Sequence, residues 1–166
     1  MRKYKGFSLI ELLIVVAIIL IVAAIAIPNL LRSRIAANES SAAGSMRTIN
    51  TAEISYQSFY PAVGFPANIG ILGGASPCTP GVATACLLDE ILASGSKSGY
   101  TFTAAGTDPS PTGANLEFVS NAVPSNLNIT GVKGFCGTED NTVRYVSPAG
   151  AVVTHDTCQA WQIIGQ

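Results

Sequence analysis

From Phe7 to Ile27 the chain reads FSLIELLIVVAIILIVAAIAI, 21 residues that are apolar apart from Ser8 and Glu11. As an α-helix rising about 1.5 Å per residue, this run covers roughly 30 Å, the thickness of a bilayer's hydrocarbon core. Arg2, Lys3 and Lys5 precede it, and positive charge flanking a span holds that end on the cytoplasmic side. The rest of the chain is then expected across the membrane. Glu11 is the anomaly, because a carboxylate inside a spanning helix costs about 2.5–3.5 kcal/mol on insertion scales and is usually functional.

Composition agrees with one membrane segment joined to one small domain. The 166 residues are 48% hydrophobic and only 11% charged, with the apolar excess concentrated between Phe7 and Ile27. The remainder is rich in Gly, Ser, Thr, Ala and Pro. Net charge is −1, and about −4 without the three leading basic residues. That argues against nucleic-acid binding by bulk electrostatics. Cys78, Cys86, Cys136 and Cys158 form an even set without a C-x-x-C, and no histidine is spaced to complete a zinc site. Disulfides in an oxidising compartment are the better reading.

Three readings of the N-terminus compete. A cleaved signal peptide would use Ala24-Ile25-Ala26 as its cutting site, but the apolar stretch is longer than a usual signal core and contains Glu11. A plain anchor explains the length and leaves the glutamate unexplained. A cut between Gly6 and Phe7 explains both. The new amine would belong to Phe7, at the positive end of a helix whose first N–H groups lack partners, with Glu11 one turn away. Glu11 then either caps its own helix or pairs with the amine of a neighbouring chain.

Lys5-Gly6-Phe7-Ser8-Leu9-Ile10-Glu11-Leu12-Leu13-Ile14-Val15-Val16-Ala17-Ile18 closely resembles the prepilin signature of type IV pilins and pseudopilins. The resemblance implies that residues 1–6 are a leader removed by a prepilin peptidase, which also N-methylates Phe7. It implies that Glu11 pairs with the N-terminal amine of an adjacent subunit during filament assembly, and it matches Pro28 to a proline common in these helices. The expected partners are further copies of the chain, the prepilin peptidase, the inner-membrane assembly machinery and, before assembly, the membrane. The location implied is the bacterial inner membrane, then a surface filament. No cofactor, metal or nucleic acid is implied. Pseudopilins of type II secretion share every N-terminal feature. They often use bound calcium where this chain has a disulfide-tied loop, so the resemblance leans towards a pilus subunit.

Beyond the apolar run, Leu31, Ile35, Ala42, Met46, Ile49, Tyr56 and Tyr60 recur at helical spacing, while Arg32, Arg34, Asn38, Glu39, Ser41 and Arg47 fall mostly off that stripe. The helix is therefore expected to continue through residues 7–60, with 7–27 in the membrane. Pro28 should kink or loosen it, Gly44 should weaken it, and Pro61 should stop it. Residues 61–97 read as a connecting loop with a short helix, Leu87 to Ala93. Residues 98–166 read as a sheet and tail. Strands are expected at Tyr100–Thr103, Asn115–Val119, Val132–Cys136 and Thr142–Val146, with a short addition at Ala151-Val152-Val153. The fold class is α+β: a long N-terminal helix, half protruding and half packed on a four-stranded antiparallel sheet, as the pilin resemblance also implies. Four cysteines allow three connectivities; Cys78–Cys86 with Cys136–Cys158 is preferred because each closes a short loop.

The remaining chemistry-bearing residues favour ordinary roles. His155 beside Asp156 has no nucleophile motif, and Thr154 and Thr157 suggest an exposed tail, so no enzyme is expected. Glu139-Asp140-Asn141 suits a turn better than a calcium loop. Asp89-Glu90 suits the first turn of the short helix. Asn38-Glu39-Ser40 and Asn128-Ile129-Thr130 have the sequon form only. Tyr56, Phe59, Tyr60 and Phe65 are expected to pack in the core.

Overall fold

The structure, a computed structural model, describes residues 7–150 and 153–165. It divides into two compact units, Met1–Arg34 and Ile35–Gln166. Helix α1 runs Leu9–Phe59 and contains Pro28. Within the second unit its inner face buries Ala42, Met46, Ile49, Ala52 and Tyr56, the helical spacing that a sheet below it requires. Tyr60 and Ile35 are half-buried, but Phe59 is 67% exposed, so it leaves the expected aromatic core.

The sheet has six antiparallel strands in sequential order rather than four. They are β1 (Ser96–Lys97), β2 (Tyr100–Pro109), β3 (Asn115–Pro124), β4 (Gly134–Gly137), β5 (Val143–Val146) and β6 (Gln162–Ile163). The central pair is twice as long as its apolar alternation suggested. Pairing of Tyr100 with Pro124 continues out to Pro109 with Asn115, and ladder hydrogen bonds need no particular side chain. The two extra strands, β1 and β6, are two residues each, too short to register as a pattern. Ala151 and Val152 lie outside the described residues, and Val153 is not in a strand.

Alternation sets the two faces. Tyr100, Phe102 and Ala104 on β2 lie opposite or diagonal to Ala122, Ser120 and Phe118 on β3, and Phe135 pairs with both Ala122 and Tyr145. These positions carry the main core with α1. β3 is buried continuously from Phe118 to Ala122 because its reverse face is covered too. Val119, Cys136, Val153 and Cys158 form a second, smaller core there, with Trp161 against it. Helix α3 (His155–Gln159) supplies that cover, so this stretch is not the exposed tail expected from Thr154 and Thr157. Thr154 and Thr157 form its capping box.

The loop from Pro61 is docked rather than loose. The Phe65 N–H donates to the Asn115 carbonyl, and the Asn115 amide returns a bond to the Phe65 carbonyl at 2.8 Å. Phe65 packs on Phe118 with ring centroids 4.8 Å apart. A 3₁₀ turn, Ile69–Leu72, buries Leu72. Helix α2 is Glu90–Ala93, shorter than the expected Leu87–Ala93. Asp89 stops it from starting earlier: it is the N-cap, and its side chain accepts from the Leu92 N–H at 2.8 Å. Disulfides join Cys78 to Cys86 and Cys136 to Cys158.

One seam fixes how closely helix and sheet approach. The buried Ser120 hydroxyl donates to Asn50 Oδ1 at 2.6 Å, and a Cβ built on Gly137 would collide with the Asn50 amide. By contrast, a Cβ on Gly44 meets nothing within 4 Å. Gly137→Ala should therefore lower stability by about 1–3 kcal/mol through overpacking, while Gly44→Ala should raise it by about 0.5–1 kcal/mol. Thermal melting of the full chain in detergent, followed by near-UV circular dichroism, checks both signs.

Candidate assembly segment and the groups around it

The first unit presents its side chains outward. From Leu9 to Leu30 the large apolar residues are all exposed in the single chain, so they need an apolar medium or other helices to cover them. This is the one helix among the described residues long and apolar enough to cross a membrane. Phe7 and Ser8 precede it, and Gly6 lies outside the described residues. Glu11 sits in the first turn, where its Oε2 accepts from the Ser8 N–H at a long 3.4 Å. That is the carboxylate half of a capping box, placed at the positive end of the helix dipole. The contact is exposed and weakly held. Further on, Pro28 leaves the Ala24 carbonyl without its usual helical donor, and the Ser33 hydroxyl bonds back to the Asn29 carbonyl at 3.0 Å.

Two acid–base groups in the second unit stand out. His155, on α3, has only 12% of its side chain exposed and sits among carboxylates. Its Nε2 lies 2.9 Å from Glu139, and its Nδ1 lies 3.5 Å from Glu117 and 3.6 Å from Asp156. Burial works against the charged imidazole, but the Glu139 bond and the nearby Glu139 and Glu117 charges outweigh it and raise its pKa. Asp140, also burdened by burial, is held below its ordinary value by Arg144, the Thr142 N–H and Thr138. Glu139 and Asp140 thus serve as clasps to α3 and β5, consistent with a structural turn. The sequon-form Asn38 donates to the Thr130 carbonyl at 2.8 Å.

Glu53 was not singled out in the sequence, yet it is fully buried on the inner face of α1. Neither of its carboxyl oxygens has a hydrogen-bond partner among the described residues. Burial pushes its pKa up to about 8, so the neutral acid is the form that fits this core. Its place on the helix could have flagged it, since Glu53 follows Met46, Ile49 and Asn50 at inward spacing.

Among the described residues, one helix of membrane-spanning length and apolarity leads into an α+β unit. Residues 1–27 match the family model for the prokaryotic N-terminal methylation motif. The chain is 65% identical over 40 residues to the type IV wide pilus major component PilA4 of Thermus thermophilus, covering 24% of this chain and 30% of that protein. It is 40% identical over 75 residues to the type IV major pilin protein PilA of Myxococcus xanthus, covering 41% of this chain and 34% of that protein. No solved structure gives a significant match. The motif and these relatives make the N-terminal segment similar to that of type IV pilins. It spans about a third of the length of the curated relatives it matches.

Both raised pKa values act in one direction on stability. Glu53 favours folding fully below its unfolded value of 4.5, and that advantage disappears as pH rises towards about 8. His155 contributes below 6.5 and loses its contribution as pH rises through its raised folded value. The melting temperature of the full chain in detergent should fall from pH 5 to pH 8.5. Glu53→Gln should remove most of that decline, on the order of a few kcal/mol, and His155→Gln a smaller part at pH values above 6.5. An unchanged slope in Glu53→Gln would contradict the neutral-acid assignment.

Proposed function

We propose that this chain is the structural subunit of a type IV pilus. The observation that carries the reading is the exposed apolar helix with a carboxylate in its first turn, inside a segment that matches the methylation motif. Both relatives are named as major pilus proteins. The precursor waits in the inner membrane with its N-terminus in the cytoplasm and its α+β unit outside. A prepilin peptidase cuts between Gly6 and Phe7 and methylates the Phe7 amine. Subunits then leave the bilayer as their helices bundle, which exchanges lipid for helix contacts along residues 7–27. Glu11 gives up its weak bond to its own Ser8 and pairs with the Phe7 amine of a neighbour, which fixes register. In that low-dielectric setting an unpaired Glu11 would be costly, so misregistered subunits are rejected. Pro28 supplies a loosened point in the helix. The two disulfides favour the pilus over a type II secretion pseudopilin.

Intact-mass analysis of protein from its native cell should give a chain starting at Phe7 with a methylated amine and two disulfides. Glu11→Ala should yield processed, membrane-retained subunits with few filaments in sheared fractions. Abundant normal filaments from Glu11→Ala would refute the register role.

A further inference from the structure

A groove of about 470 Å³ lies in the second unit between α1 and the β4–β5 side of the sheet. Its floor is apolar, from Ala43, Phe135, Tyr145 and Ile164. Among the described residues that line it, Glu39, Arg47 and Lys133 leave one net positive charge. Lys133 pairs with Glu39 at 3.3 Å and lies over the Tyr145 ring at 5.6 Å. Arg47, exposed on the rim, has no acidic partner among the described residues. An occupant that fits must offer an aliphatic side chain beside a carboxylate.

The molecule carries that pair on its own surface. Ile91 on α2 is 63% exposed, one of the most exposed aliphatic side chains of this unit. Its neighbour Glu90 is exposed and has no cation partner among the described residues, since Lys97 is taken by Asp89. The other exposed aliphatics do not match. Leu116 adjoins Glu117, which faces His155, and Val82, Leu127 and Ile129 have no acidic neighbour. Location agrees with complementarity. Helix α2 packs beside β1, while the groove lies at β4 and β5, towards the opposite end of the sheet order.

We propose that the groove receives α2 of a second copy, with Ile91 on the apolar floor and Glu90 paired to Arg47. This rests on the pilus reading and names a contact between its outer units. The two patches differ, so the contact is heterologous. Each copy keeps one free groove and one free α2, which propagates an open array instead of closing a pair.

Charge reversal tests it in cells that make the full chain. Arg47→Glu and Glu90→Arg should each cut sheared-filament yield by about tenfold or more, because like charges would face each other. The double reversal should restore the yield. Paired Ala43→Cys and Ile91→Cys should give an intermolecular ladder on non-reducing gels of filaments. Both charge sites are exposed, so unchanged melting of each variant separates assembly from folding. Normal filaments from Arg47→Glu, or a double reversal that stays defective, would overturn the groove contact alone. Wild-type cells that make processed chain without filaments would overturn the pilus reading, and the contact with it.

Discussion

The second unit depends on one burial: the inner face of α1 against the antiparallel sheet. Ala42, Met46, Ile49 and Tyr56 have almost no exposure, and neither helix nor sheet could shelter its apolar face alone. The seam at Asn50, Ser120 and Gly137 sets the spacing, since only a residue without a side chain lets the Asn50 amide lie on the sheet. Everything else in the unit attaches to that sandwich. The long loop hangs on Asn115, and the C-terminal helix hangs on Asn121, whose Oδ1 accepts from the Val153 N–H at 3.2 Å.

What the sequence revealed follows from how far each signal extends along the chain. The membrane segment is a 21-residue apolar run, and the stripe from Ala42 to Tyr56 repeats for four turns, so both are legible from periodicity alone. The four main strands showed through alternating or β-branched residues. Their full lengths did not, because pairing through Gly106 and Pro109 uses backbone groups that carry no side-chain signature. β1, β6 and α3 were hidden for a different reason. Each is too short for a period, and each exists because an already built surface is there to receive it.

The buried groups were the least legible. Glu53 looks like an ordinary polar helix residue until the sheet covers it. His155 looks like tail until Glu139 and Glu117, distant in sequence, converge on it. The N-terminal site lies at the other extreme. Gly6, Phe7 and Glu11, the residues proposed for processing and register, fall within one short stretch that matches the methylation motif, so that proposal was legible without tertiary structure.

The outermost strands of the sheet are only two residues long. A strand edge that short offers almost no row of free N–H and C=O groups on which another chain could add. A chain with two ten-residue strands paired at its centre is otherwise open to sheet-to-sheet stacking. At those two ends the sheet gives a second sheet little backbone to pair with, so its contacts with other molecules fall to side chains.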